Sequence, residues 1–299
     1  GGSGAPIALV GHLDTVPNWE DGGVERTPTR IVGRGAADMK GGVAVMLAVL
    51  QRLTSDAAAT VCIFYDREEG PHGDNGIHRV LAESRLLDPK PAMAIVLEPS
   101  SGTILAGAVG SINAQLTLRG RAAHAARPWE GENAVSADFA AAVARFAARQ
   151  PNDTVVDGLT YRDVATITMV KGGVAHNVVP DKVEVWVNAR VAPGNSIDDA
   201  KAEIEELAGP AAEVVWSDIA PPAMPSLTAA PVASFLKRSG LPVQPKQAWT
   251  DVATMHAWGV PAFNYGPGEP SQAHQPNEWV EIAALEECER VIAAELGAS

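Results

Sequence analysis

Cysteine is scarce in this chain. The 299 residues include two, Cys62 in an apolar run and Cys288 in a late helical pattern. Two are too few for a disulfide framework, and their isolation fits a reducing, cytoplasmic location. Long apolar runs are missing too. The strongest, at 43–50, falls far short of the ~20 residues that cross a bilayer, and no signal peptide leads the chain, so no membrane partner is expected. Basic side chains are in the minority. Lys and Arg number 23 against 36 Asp and Glu, a net charge of −13, and they form no cluster, which argues against a nucleic-acid partner. The initiator methionine is absent. The start, Gly1-Gly2-Ser3-Gly4, has a flexible-linker composition and is read as an engineered scar, a processed end or a truncation.

What is present is enough for a substantial core. Apolar residues make up 46% and charged residues 20%, close to globular averages, and the length suggests about two domains. Short apolar strands at 7–10, 60–65 and 92–97 alternate with helical patterns at 43–53 and 77–87, which implies a mainly parallel sheet with helices on both faces. The rhythm then changes. Alternating strands at 111–118, 164–171, 182–191 and 213–217 enclose helices at 133–149 and 196–208, and Ser196 is placed to cap the second of these. That order, βαββαβ, is ferredoxin-like. Pro221, Pro222 and Pro225 mark a boundary, after which a helix at 231–240, a strand at 262–265 and a helix at 282–296 resume. The expected architecture is one α/β domain made of 1–109 and 221–299, with an inserted α+β domain at 110–220.

Polar residues collect just after the strands, the edge where open α/β sheets bind ligands. In Gly11-His12-Leu13-Asp14, His12 and Asp14 point to one side of an extended segment. They suit a metal ligand and the carboxylate that orients it, or simply a hydrogen-bonded histidine. Asp38 lies in the glycine-rich stretch 33–42, as a ligand or as the N-cap of the following helix. Glu68 and Glu69 follow the strand at 60–65, either as a solvated pair or as two carboxylates dividing metal binding from proton transfer. Glu98 follows the next strand. His274 lies in a turn-rich stretch and taken alone is a surface histidine. Two histidines and several carboxylates suit a pair of divalent ions ~3.5–4 Å apart with one shared carboxylate. Zinc fits imidazole and carboxylate ligands, with manganese or cobalt as substitutes. No Gly-x-Ser-x-Gly elbow and no phosphate-binding loop offers another chemistry. Arg34 and Lys40 suit pairing with surface acids, and Trp249 and Trp258 suit packing.

The segments GHLDTVP, GRGAADMKGG, FYDREEG, LEPS, HAARPWEGENA, HNVVPD and the loop carrying His274 come in the order of the M20 metallopeptidases. The chain resembles that family over nearly its whole length. GAADMKGG, FYDREEG, WTDVATM and NYGPGEP look most like its actinobacterial succinyl-diaminopimelate desuccinylases. The resemblance implies two zinc ions per subunit, with Asp38 bridging them, His12 and Glu98 on one, and Glu69 and His274 on the other. It implies Asp14 supporting a ligand and Glu68 as general base. The inserted domain would be a lid and homodimerisation domain, with His124 stabilising the oxyanion in its own or the partner's site. Asn177 and Arg190 match lid residues that contact substrate. Where proteobacterial members carry arginines, Ala108 and Val109 stand, which leaves the succinyl carboxylate to Arg127, Arg190 or another group. Family members also carry a helix and a strand ahead of the His12 strand. The implied reaction is hydrolysis of N-succinyl-LL-2,6-diaminopimelate to succinate and LL-2,6-diaminopimelate, a step of lysine and diaminopimelate biosynthesis. Other readings are a further M20 activity (acetylornithine deacetylase, aminoacylase or carboxypeptidase) and a non-catalytic metal-binding scaffold on the same fold.

Overall fold

The computed structural model describes residues 5–17 and 23–298, so the linker-like start at 1–4 lies outside it. Along the chain come β1 (Ile7–His12), β2 (Glu25–Arg26), β3 (Arg30–Val32), an irregular helical turn at Ala36–Lys40, α1 (Gly41–Arg52), β4 (Thr60–Tyr65), α2 (Ile77–Glu83), β5 (Met93–Pro99) and β6 (Ile104–Ala106). Next are β7 (Gly110–Arg119), α3 (Ala137–Ala148), β8 (Asn152–Val156), β9 (Leu159–Gly172), β10 (Lys182–Val191), α4 (Ile197–Ala208) and β11 (Ala212–Ala220). The rest is α5 (Ala230–Ser239), β12 (Val243–Pro245), α6 (Val252–Ala257), β13 (Ala262–Gly266), β14 (Trp279–Glu281) and α7 (Ile282–Leu296). These elements fall into two units, Gly1–Ala108 with Ala223–Ser299, and Val109–Pro222.

The first unit is built on a six-stranded sheet in the order β12-β6-β13-β5-β1-β4. All its pairs are parallel except β13 with β6. Successive side chains of a strand point to opposite faces, and here each face has its own core. Leu9, Met93, Ile95 and Leu97 pack with Val45, Met46, Phe235 and Ile292 of α1, α5 and α7. Ala8, Val10, Ala94 and Val96 pack with Ile77, Val252 and Met255 of α2 and α6. Helices on both faces explain why these strands read as unbroken apolar runs. Gly42 sets how closely α1 approaches the sheet, because a Cβ there would lie 2.3 Å from the Leu97 carbonyl oxygen. A small sheet, β14-β3-β2, lies in the same unit.

The second unit is an antiparallel sheet in the order β11-β7-β10-β9-β8. One face, lined by Val183, Val185 and Val187, is covered by Phe146 of α3 and Ile204 of α4. Its chain order has one strand more than βαββαβ. The extra strand, β8, forms a hairpin with β9 across Asp157-Gly158, both with positive φ (49° and 78°), the Asp-Gly chemistry of a tight two-residue turn. The helix expected at 133–149 starts only at Ala137. The Asn133 side chain accepts a hydrogen bond from the Val135 amide, a local turn that competes with helix. The helix expected at 77–87 ends at Glu83, because Ser84 is extended, and a 3-10 turn follows at Arg85–Leu87. Ser196 caps α4, accepting from the Asp198 and Asp199 amides. Among the described residues no helix is long and apolar enough to cross a membrane.

Candidate metal centre

Five chain segments bring the site together beside the C-terminal ends of the parallel strands. His12 is the last residue of β1, with no exposed surface. Glu98 lies in β5 beside it. Glu68 and Glu69 follow β4 on a turn that passes through Arg67 at φ 62°. His274 also has φ 62°, and a left-handed backbone at two non-glycine residues beside a candidate site marks strain held by the surroundings. Asp38 sits in the Ala36–Lys40 turn, where Asp38 and Met39 leave helical dihedrals. It is therefore not the N-cap of α1, a position taken by Lys40 without a side-chain bond. Gly35, at φ 76°, opens that turn, and Lys40 donates to the Leu13 carbonyl rather than to a surface acid.

The two oxygens of Asp38 face two different histidines. Oδ1 lies 3.2 Å from His12 Nε2, and Oδ2 lies 3.5 Å from His274 Nε2. His12 Nε2 is also 3.3 Å from Glu98 Oε1, and His274 Nε2 is 3.0 Å from Glu69 Oε2. An ion held tetrahedrally by nitrogen and oxygen at about 2.0–2.1 Å separates its ligand atoms by about 3.3–3.4 Å. The donor types and their spacing thus fit two cations sharing one carboxylate. Among the described residues three ligand sets emerge: His12, Asp38 and Glu98; Asp38, Glu69 and His274; and His12, Glu68 and Glu69.

The electrostatics follow from crowding carboxylates out of water. Burial alone would lower the proton affinity of His12, but hydrogen bonds to Asp14, Asp38 and Glu98 reverse this and raise it. The carboxyl of Glu68 is raised by burial and then by the charge of Glu98. Glu98 is raised by burial and the charge of Asp38, partly offset by His12 and Lys246. His274 is raised by its hydrogen bond to Glu69. Asp14 runs the other way. Burial pushes it up, but His12 and the Glu69 and Glu68 amides, each 3.2 Å away, hold it at about 2. Asp14 therefore faces His12 Nδ1, at 3.5 Å, while fixing the turn that carries both glutamates.

The remaining candidates lie in the second unit. His124 pairs with Val178 in an isolated bridge, and the Ala125 amide donates to the Asn177 carbonyl. Arg127 is exposed, 3.7 Å from Glu130. His124, Arg127 and Asn177 are thus neighbours. Arg190 is eight residues along β10 from its start at Lys182, roughly 26 Å at ~3.3 Å per residue. It is half-buried, and burial lowers its pKa.

Two buried carboxylates escaped sequence reasoning. Glu278, 2% exposed, accepts hydrogen bonds from the amides of Gly35, Ala37 and Asp38. Asp251, 1% exposed, accepts from the Tyr65 hydroxyl at 2.5 Å and the Asn75 amide at 3.0 Å. Glu278 follows a Gln-Pro-Asn turn and reads as solvated. Asp251 lies in WTDVATM, and its place just before α6 reads as a cap, although it makes no capping bond. Trp249 and Trp258 pack against the second core.

Residues 8–296 match the model of peptidase family M20/M25/M40. The chain belongs to this family. The DapE protein of Mycobacterium tuberculosis is 37% identical over 281 residues, covering 93% of this chain and 78% of that one. The succinyl-diaminopimelate desuccinylase of Corynebacterium glutamicum is 33% identical over 296 residues, covering 93% and 77%. In fold the chain is similar to the M20 family metallo-carboxypeptidase Sso-CP2 of Sulfolobus solfataricus, with a TM-score of 0.77 at 17% identity, covering 98% of this chain and 85% of that one. As an M20 member the chain is a hydrolase of amide bonds.

Proposed function

We propose that this hydrolase cleaves N-succinyl-LL-2,6-diaminopimelate to succinate and LL-2,6-diaminopimelate at a centre of two zinc ions, for which cobalt or manganese can substitute. The observation that carries the reading is the similarity to the two desuccinylase-type relatives over 93% of the chain. The clustering of His12, Asp38, Glu69, Glu98 and His274 supports it.

In this reading His12, Glu98 and Asp38 would hold one ion, and Glu69, His274 and Asp38 the other. When bound, the ions supply Lewis acidity, polarising the scissile carbonyl and lowering the pKa of the attacking water towards ~7. Glu68 takes a proton from that water as its oxygen bonds to the acyl carbon. It then returns the proton to the departing nitrogen as the C–N bond breaks, so water and amide become carboxylate and amine. A carboxyl whose proton affinity is raised by burial beside Glu98 suits a group that must hold a proton between two steps. Asp14 keeps Glu68 and Glu69 in place through their amides.

The second unit serves in this reading as lid and homodimerisation domain. His124 stabilises the oxyanion, an assignment resting on the resemblance of its segment. Arg190 takes the substrate's carboxylate, while Arg127 and Asn177, beside His124, contact other substrate groups in this site or the partner's. Arg190 suits this because it makes no ion pair among the described residues and is partly withdrawn from water, so an anion would meet little competing solvation.

The test is hydrolysis of N-succinyl-LL-2,6-diaminopimelate by the zinc-loaded chain, beside N-acetylornithine, dipeptides and a chelator control. Zinc-dependent turnover of the succinyl substrate is expected. Turnover of another substrate alone would keep the centre and move the specificity. Two bound ions with no turnover of any acylated amino acid would favour a binding scaffold.

A further inference from the structure

The ligands of the two ion positions are not held with equal firmness. His12 and Glu98 belong to β1 and β5, neighbours in the interior of the six-stranded sheet. Asp38 and His274 belong to no strand. Asp38 lies in a turn with no side-chain cap at its N-terminus, and His274 is in the left-handed region of a loop. Something other than the sheet must place them.

Backbone amides of the Asp38 turn are held by the side chain of Glu278. Its Oε2 accepts from the Gly35 amide at 2.6 Å, and its Oε1 accepts from the amides of Ala37 and Asp38, both at 2.7 Å. Its own carbonyl accepts from the Gly33 amide at 2.8 Å. From Trp279 onward the same segment pairs with β3, Trp279 opposite Val32 and Glu281 opposite Arg30. The regular ladder therefore runs up to Glu278, and the carboxylate continues it around the irregular turn where strand pairing stops. Those amides sit in a turn whose residues 36–39 are buried. Without an acceptor they would be costly orphans, and a buried carboxylate is stable there because donors surround it. Glu278 also follows His274 by four residues.

We infer that Glu278 is a positioning residue of the metal centre: its carboxylate registers the turn carrying Asp38 against the segment carrying His274. One buried clamp thereby places two of the three ligands in the set Asp38, Glu69 and His274. The set His12, Asp38 and Glu98 depends on it only through Asp38. The inference rests on the metal-centre reading above and adds an asymmetry to it, in which losing the clamp weakens the His274 position more than the His12 position. Glutamine cannot replace the clamp. It has one acceptor oxygen, and its NH2 group would face a backbone N–H where Glu278 offers a second oxygen.

The experiment is zinc titration of the metal-free chain against a competing chromophoric chelator, for the wild type, Glu278→Gln and Glu278→Asp. Backbone hydrogen exchange over residues 33–40 is followed in parallel. The wild type is expected to take two equivalents. Glu278→Gln should bind the first with near wild-type affinity and the second roughly 10–100-fold more weakly, the usual effect of losing a group that orients a ligand. The amides of Gly35, Ala37 and Asp38 should lose protection. Glu278→Asp, which keeps the charge on a shorter arm, should fall between. Equal wild-type affinity for both ions in Glu278→Gln, even with a lowered Tm, would overturn the inference and leave only a structural role. Fast exchange of those three amides in the metal-free wild type would overturn it too, and that measurement stands even if Glu278→Gln does not fold. A wild type that takes up no zinc would instead overturn the metal-centre reading itself.

Discussion

Glu68 and Glu69 are adjacent in the chain and meet different surroundings. Glu69 is 3.0 Å from His274, while Glu68 faces the charges of Glu98 and Asp251. If Glu68 moves protons and Glu69 binds an ion, Glu68→Gln, which preserves shape, should keep both ions and lose about 10²–10⁴-fold in kcat. Metal analysis beside steady-state kinetics checks this, and turnover above a tenth of wild type would move the base elsewhere. Cys62 gives a residue-scale prediction away from the site. Burial pushes its thiol up to about 11, so little thiolate forms at neutral pH. Alkylation by iodoacetamide should be slow at pH 8 and climb only towards pH 11, and rapid labelling at pH 8 in the folded protein would contradict the burial. The raised value also means the folded thiol holds its proton more tightly than the unfolded one. Its contribution to stability is full below about 9 and is lost as the pH rises through about 11.

The convergence of His12, Asp38, Glu69, Glu98 and His274 was legible because each sits at or after the end of an apolar strand or in a turn-rich, glycine-bearing stretch, and because the motifs come in family order. Glu278 and Asp251 were not. A carboxylate satisfied by backbone amides, or by a tyrosine hydroxyl and an asparagine, has no partner that sequence spacing can reveal. At the level of elements the same logic separates hits from misses. Strands β4 and β10 and helix α7 fall at their expected bounds, since apolar run length and period suffice for them. Short pieces such as β6, β8 and β12 were missed because three to five residues carry no period. Local side-chain bonds moved other boundaries, as Asn133 shows.

Element packing also reverses one rule of thumb. Glycine to alanine inside a helix ordinarily stabilises by up to ~1 kcal/mol. In α1, however, a Cβ on Gly42 would meet the Leu97 oxygen at 2.3 Å and the Leu97 Cβ at 2.9 Å. The Leu97 carbonyl oxygen is backbone in a central strand and cannot easily yield, so overpacking wins. Gly42→Ala is expected to destabilise by about 2–3 kcal/mol and to disturb Glu98 next door. A denaturant midpoint at or above wild type would show that α1 can shift outward at little cost.

Over the whole molecule, two units have separate cores, and every candidate ligand lies in one of them. Ion binding should therefore stabilise the units unequally, since ligands stabilise only the structure that binds them, by ~2.7 kcal/mol per site at a hundredfold excess over Kd. Calorimetry of the zinc-loaded chain is expected to show two transitions, of which chelator lowers one. A single transition that chelator lowers would mean that the units unfold together.

The interrupted first unit has a further consequence for a chain made from its N-terminus. His12, Asp38, Glu69 and Glu98 emerge before residue 109, but β13, which separates β5 from β6, arrives only at 262–266, and His274 and Glu278 later still. At ~5–20 residues per second the early carboxylates wait roughly 10 s or more beside an unfinished sheet, while 109–222 can already close its own antiparallel sheet. The full ligand set therefore comes together only after 109–222 has been made, so an ion could meet all of its ligands only once residues 274–281 have followed.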